Sequence, residues 1–203
     1  MLTTTAEILS SSDQDVMNAM VRRSLALGLS AAPPHEPIVD YHSPVLRRLG
    51  ASTVTLRQNG HVIGHAGTIE PTSALISDVC RNAYEAARHA AHRMADCESF
   101  TVEVRLVREA ECLNAHSFDE VCGQLRVGEH GVLLNHSAGA ATLTPDKWNE
   151  TPEPYEFLHQ LCDKAGVACD EWPDDMHATV YRIESLPPIE VLLFEGERPS
   201  KPR

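Results

Sequence analysis

Two histidines and a glutamate stand close together in the sequence and could supply acid–base chemistry. His61 and His65 are four residues apart, and Glu70 follows a short segment that contains Gly64 and Gly67. An imidazole titrates near neutral pH and a carboxylate can orient it, so this set could form an acid–base pair or part of a metal site. In a flat strand, residues 61 and 65 share one face about 13 Å apart, too far to bind one metal. Only a bulge near Gly64 would bring them together, and surface or structural histidines are the simpler interpretation.

A second pair, His89 and His92, has the spacing of neighbours on one helix face and could ligate a cation. The sequence offers no identifiable third ligand. Arg88 and Arg93 make a solvated basic helix end the simpler interpretation. We therefore predict neither a bound metal nor a cofactor.

The cysteines and tryptophans point to core packing rather than catalysis. The cysteines form no Cys-x-x-Cys pair, and we expect free thiols, mostly buried, at Cys80, Cys97, Cys112, Cys122, Cys162 and Cys169. Trp148 and Trp172 are predicted as core anchors, with a pocket wall as the alternative. The sequence contains no phosphate-binding loop, dinucleotide fingerprint, zinc-protease motif or serine-nucleophile motif.

The elements that would position the two histidines follow from alternation and turn signals. Residues 52–57 alternate apolar and polar side chains, and Asn59-Gly60 is the strongest short hairpin signal. The return strand covers residues 61–67, and its two glycines mark a bulge or the close approach of a backbone or ligand. A helix is predicted next, from Thr72 or Ser73 to about Ala90, with an alanine-rich face that permits close packing on a sheet.

The remaining elements complete a mixed fold. A first helix is predicted at about 13–27, with Ser12 as its cap, Asp15 three residues later and Gly28 as its stop. Residues 31–44 hold four prolines and predict a loop without regular structure. Later elements are a helix at 152–165 that ends before Gly166, and strands at 100–106, 131–135, 140–143, 177–184 and 190–194. Strands in hairpins predict the α+β class, with an antiparallel sheet flanked by helices. We expect one domain over 13–194, between an N-terminal tail of 1–12 and a polar C-terminal tail of 195–203.

Composition excludes several classes of function. The 203 residues carry 17 Lys and Arg against 29 Asp and Glu, a formal charge of −12. This charge opposes nucleic-acid phosphates and anionic membranes. No apolar stretch approaches the roughly 20 residues of a spanning helix, and the N-terminus has no basic region followed by a hydrophobic one. We expect a cytoplasmic protein that binds neither nucleic acid nor membrane.

A succession of short segments is more informative than any single motif. Near the hairpin and after it they are Val54-Thr55-Leu56-Arg57-Gln58-Asn59-Gly60, Gly67-Thr68-Ile69-Glu70-Pro71, Asp78-Val79, Asn82-Ala83-Tyr84, Gly131-Val132-Leu133-Leu134 and Tyr181-Arg182-Ile183-Glu184-Ser185. In this order, over about residues 15–188, they closely resemble the AMMECR family, also called AmmeMemoRadiSam system protein A. The resemblance implies an α+β fold with a larger and a smaller subdomain, and association with Memo-type and radical-SAM proteins.

The resemblance is weakest where the family looks reactive. Its motif Leu-Arg-Gly-Cys-Ile-Gly corresponds here to Val62-Ile63-Gly64-His65-Ala66-Gly67, so His65 stands at the thiol position. A second family signature, Asp-Pro-Arg-Phe, would fall near Ala90-Ala91-His92-Arg93 and is absent. These two differences indicate a divergent member, to which thiolate chemistry is not carried over. Glu70, Asn82 and Tyr84 remain, together with His65.

Two functional hypotheses follow. The first is a binding or accessory module that holds a small ligand or docks a partner beside Gly64–Pro71, with His61, Gly64, Gly67, Asn82 and Tyr84 as candidate contacts. The second is an enzyme in which His65 acts as acid or base and Glu70 orients it.

Overall fold

The computed structural model describes residues 9–93, 99–137, 139–168 and 172–192. The helices in these residues are α1 (Ser11–Leu29), α2 (Pro44–Arg47), α3 (Leu75–Ala90), α4 (Phe118–Gln124) and α5 (Pro154–Ala165). The strands are β1 (Leu49–Gln58), β2 (His61–Gly67), β3 (Ser73–Ala74), β4 (Ser99–Cys112), β5 (Gly131–His136), β6 (Gly139–Leu143), β7 (His177–Ser185) and β8 (Ile189–Leu192). Short 3₁₀ turns cover Val39–Tyr41, Ala91–Arg93 and Pro145–Asn149.

The chain forms two compact units. The first comprises the described residues up to Leu106 and those from Glu184 onward, and the second runs from Val107 to Ile183. In the first, the strand order is β2-β1-β4, with β3 paired to β1 and β8 paired to β4. In the second, the later part of β4 is followed by β7, β5 and β6. The pairs β1–β2, β1–β3, β4–β8, β5–β6 and β5–β7 are antiparallel, which confirms the predicted α+β class. The division into a 13–194 domain and two tails stays a prediction.

Helix α3 is the centre of the first core. Its inward face is built of small residues, and Ala83, Ala86, Ala87 and Ala90 are fully buried. Strand β2 approaches this face at Gly64, where a Cβ atom would collide with the Ala86 carbonyl and come within 2.9 Å of the Ala90 Cβ. The alanine-rich packing face and the close approach of a backbone at a β2 glycine are thus confirmed.

The second core is organised by an aromatic pair. Trp148 stacks on Phe157 with ring centroids 3.8 Å apart, and its indole N–H donates to the His130 carbonyl at 2.6 Å. Helix α5 ends as predicted at Gly166, which adopts the left-handed conformation with φ of 73°. Trp148 is a core anchor as predicted, whereas Trp172 is half-buried at the edge of this core.

The predicted cap of the first helix was wrong. Helix α1 is capped by Ser10, whose hydroxyl accepts from the Asp13 N–H at 3.1 Å while the Asp13 carboxylate accepts from the Ser10 N–H at 3.1 Å. This reciprocal box places Ser12 and Asp15 inside the helix. Gly28 does not stop the helix, because it lies within the last turn of α1. A Cβ at this position would fall 2.5 Å from the Tyr84 carbonyl oxygen.

Three other parts of the fold differ from the prediction. The proline-rich stretch 31–44 contains a 3₁₀ turn at Val39–Tyr41, and Pro44 begins α2, since its fixed φ suits a first helical position. Ser73 extends along Gly50 of β1 rather than starting α3. Helix α4 was missed, because it is short and buries only Val121 among its residues. The predicted strand end at Phe194 and the tail 195–203 lie outside the described residues.

Gly64→Ala tests the contact between β2 and α3. Because the added methyl group meets backbone that cannot rotate away, we expect the free energy of unfolding to fall by about 3 kcal/mol in urea denaturation. Gly123→Ala in α4 is the matched control, since a Cβ there has nothing within 4 Å. The control should be neutral or stabilised by up to about 1 kcal/mol. Equal stability of the two variants would contradict the close approach.

Candidate functional site

A bulge in the hairpin decides where the two histidines lie. The turn Asn59-Gly60 has positive φ values of 49° and 81°, as the predicted two-residue hairpin requires. Leu56 pairs with Gly64 but Arg57 pairs with Val62, so Ile63 is the extra residue of β2.

The bulge separates His61 from His65. His65 pairs with Thr55 and therefore lies on the outer face of β1, whereas His61 pairs with Gln58 and shares the face of Leu56, which is buried. In a strand without a bulge the two histidines would share a face. A bulge was one of the two interpretations of the β2 glycines, and it places the histidines on opposite faces instead of bringing them together.

His65 belongs to a polar cluster on the outer face of the first unit, which we call the His65 cluster: His65, Thr55, Arg57, Glu103 and Arg105. The Thr55 hydroxyl lies 2.9 Å from His65 Nδ1. Arg57 Nε donates to Glu103 Oε1 at 2.9 Å, and Arg105 lies 3.9 Å from Glu103 Oε2. These side chains come from three neighbouring strands, so the sheet itself assembles the cluster.

The cluster favours a neutral imidazole. Partial burial of the ring, followed by the positive charges of His89, Arg105 and Arg57, lowers the pKa of His65 below its usual 6.5. Thr55 fixes the ring at Nδ1, whereas Nε2 forms no hydrogen bond within the described residues. Near pH 7, His65 can therefore present Nε2 to a ligand either as a donor or as an acceptor, according to the tautomer that Thr55 selects.

His89 supports the edge of β2 rather than a metal. Its Nδ1 donates to the His65 carbonyl oxygen at 2.8 Å, while His92 Nε2 accepts from Arg93 Nε at 3.2 Å. Among residues 9–93, 99–137, 139–168 and 172–192, no three His, Cys, Asp or Glu side chains are grouped as a metal site would need.

Asn82 lies in a different, buried network around Asp78. The fully buried Asp78 carboxylate accepts from Ser52 and Thr68 hydroxyls at 2.7 Å each and from Asn82 Nδ2 at 2.9 Å. Asn82 Nδ2 also donates to the Ser52 carbonyl at 2.9 Å. This network ties β1, the segment after β2 and α3 together, so the structure gives Asn82 a structural role.

The other predicted contacts do not converge on His65. The Tyr84 hydroxyl donates to the Ala32 carbonyl at 3.0 Å and anchors the segment after α1. Glu70 is exposed and lies beyond the end of β2. Gly67 packs against the Thr53 side chain, where a Cβ would come within 2.6 Å of the Thr53 methyl carbon.

Four members of the cluster were not predicted as site residues: Thr55, Arg57, Glu103 and Arg105. Their positions on the polar side of two alternating strands were visible, since Thr55 and Arg57 alternate with Leu56, as Glu103 and Arg105 do with Val104. The opposite charges of Arg57 and Glu103 were the available signal that β1 and β4 could be neighbours.

Four cysteines can be described, and all are free thiols. Cys80 and Cys162 are buried, Cys122 is half-buried and Cys112 is exposed. Cys97 and Cys169 lie outside the described residues. Within the described part of the chain, no helix is long and apolar enough to cross a membrane.

Comparison with known proteins adds the family. Residues 19–186 match the family model AMMECR1. The chain belongs to the AMMECR1 family. A solved structure, that of the uncharacterised protein PH0010 from Pyrococcus horikoshii, aligns with a TM-score of 0.65 and 20% identity, covering 88% of this chain and 96% of that one. At this identity the likeness shows a shared fold. No curated protein matches this AMMECR1-family chain.

The lowered pKa of His65 gives a prediction for stability against pH. The unfolded chain binds the proton at a higher pH than the native state, so the free energy of unfolding falls as pH drops from 6.5 through the native pKa. His65→Gln should make this fall shallower, as measured by urea denaturation at a series of pH values. His61→Gln, on the opposite face, is the control, and the same slope for both variants would contradict the assignment.

Asp78→Ala tests the buried network. Loss of the carboxylate leaves the Ser52 and Thr68 hydroxyls without this acceptor and removes one acceptor of Asn82 Nδ2. We therefore expect a loss of about 3 kcal/mol in the free energy of unfolding. Asp15→Ala on the exposed side of α1 should change it by no more than about 0.5 kcal/mol. A similar small change for Asp78→Ala would show that the network contributes little.

Proposed function

We propose that this AMMECR1-family protein is a binding module whose His65 cluster holds a small anionic ligand. The observation that carries the proposal is the convergence of His65, Arg57 and Arg105 on one sheet face. Their side chains are close enough for both guanidinium charges to lower the pKa of His65. Guanidinium groups suit carboxylates and phosphates because their N–H donors form a planar fork.

Glu103 gives the cluster its selectivity. Its carboxylate holds Arg57 in place through the 2.9 Å contact with Nε, while His65 is oriented by Thr55. An anion would meet donors already positioned, so little side-chain entropy is lost on binding. Glu103 also repels anions that cannot reach the guanidinium groups, which favours a small, compact ligand.

The proposal includes an accessory role. The family's alternative name, AmmeMemoRadiSam system protein A, suggests a Memo-type protein and a radical-SAM protein as partners. In this view the ligand is one that such partners use or produce, and the chain presents it rather than transforms it.

The experiment follows the His65 ring by NMR while inorganic phosphate or malonate is added. We expect saturable shifts of the His65 ring signals for at least one anion. Arg57→Gln should weaken the affinity about tenfold, as the loss of a charge-assisted hydrogen bond implies. His61→Ala is the matched control and should bind as the wild type does. Absence of any saturable shift with both anions, or equal binding by Arg57→Gln, would contradict the proposal.

An enzyme that uses His65 as a base is the second candidate. It is favoured by the neutral ring and by the Thr55 contact at Nδ1, which together leave Nε2 available for proton transfer. Thr55, rather than Glu70, would then orient the ring. In this case a screen of anionic substrates should reveal turnover that His65→Ala abolishes at unchanged melting temperature.

A further inference from the structure

The second unit contains a cavity of about 370 Å³ where β4 ends and β7 begins. This volume lies within the range of roughly 300–1,000 Å³ that small-molecule sites occupy. The described residues that line it all belong to the second unit, whereas the His65 cluster belongs to the first.

The lining combines an apolar wall with a polar border. Leu113 and Trp172 are half-buried and Met176 is buried, whereas Cys112, His116 and Asp174 are exposed. An apolar body could therefore pack against the wall while a polar group remains near solvent. This division of surface is typical of sites for amphipathic small molecules.

The charge of the lining favours a cation. Asp174 contributes a carboxylate, and no Lys or Arg is among the described residues that line the cavity. The neighbouring Asp175 is already engaged, since it accepts from the Ser137 N–H at 3.2 Å and lies 3.1 Å from His136 Nε2. The formal charge of −12 on the whole chain adds a long-range attraction for cations.

Trp172 supplies the second attraction. An indole face binds ammonium groups more strongly than any other side-chain ring does. Trp148 is not available for this role, because its ring is stacked on Phe157 in the core. We propose that the cavity binds a small organic cation, with the Trp172 ring against its ammonium group and Asp174 as its counter-ion.

Cys112 provides a direct readout, because this residue lines the cavity and is exposed. The experiment measures the rate of Cys112 alkylation by iodoacetamide, a neutral reagent, through peptide mass spectrometry. The probe is benzyltrimethylammonium, compared with benzyl alcohol and benzoate, which keep the ring but change the charge. We expect the cation to slow alkylation with saturation, and the neutral and anionic rings to protect far less. Buried Cys80 and Cys162 report in the same sample on any general unfolding.

Variants assign the effect to the two residues. Asp174→Asn should weaken protection by the cation about two- to fivefold, the range of an exposed ion pair that contributes to binding. Asp15→Asn changes the net charge equally in the first unit and should leave protection unchanged. Trp172→Leu should weaken it about fivefold or more and Trp172→Phe less, since the smaller ring retains part of the attraction. Equal protection by benzoate, no protection by the cation, or no effect of Asp174→Asn would overturn the proposal.

Discussion

Strand β2 can lie against helix α3 only because Gly64 has no side chain. The helix presents Ala86 and Ala90 at this contact, and its other side receives Gly28 of α1 against the Tyr84 carbonyl. Small residues on both sides allow α3 to be enclosed between α1 and the sheet at backbone distance. Because dispersion attraction falls steeply with separation, this close approach contributes more than the modest apolar area of the alanines suggests.

The same contact explains the bulge and thereby the site. Ile63 and Gly64 are both buried, one filling the core and one touching α3, although neighbours in a regular strand face opposite sides. The extra residue resolves this conflict and reverses the alternation beyond it. His65 is consequently directed to the outer face, where Thr55, Arg57, Glu103 and Arg105 already stand.

Local features of the fold could be predicted from the sequence, whereas features that depend on the pairing of distant segments could not. The Asn59-Gly60 turn, the glycines of β2 and the end of α5 at Gly166 follow from residue types alone. The reversal of faces between His61 and His65 does not, because the position of the extra residue is set by α3 rather than by the hairpin. The contact of Arg57 with Glu103 requires β4 to lie beside β1, and local pattern does not specify that neighbour.

The cap of α1 was missed for a related reason. Ser10 and Ser12 are each followed by an aspartate three residues later, so local sequence allows two capping boxes. Ser10 prevails in the structure, and Leu9 beside it is buried in the first core. A buried residue just before the cap fixes the entry of the chain into the helix, and this tertiary contact distinguishes two otherwise equivalent signals.

The polar residues of the first unit divide into two physical roles. Asp78 and Asn82 satisfy each other and their neighbours in a buried network, and Tyr84 anchors a backbone carbonyl, so their presence is explained by the fold. His65 and the arginines beside it are not needed to fill the core, since they lie on the outer face of the sheet. Arg57 and Arg105 form a local positive region in a chain of charge −12, and Asp174 lines a cavity without Lys or Arg among its described residues. The net charge of the chain therefore excludes neither an anion at the His65 cluster nor a cation in the cavity. At distances of a few ångströms, the nearest charged side chains outweigh the screened field of the rest of the molecule.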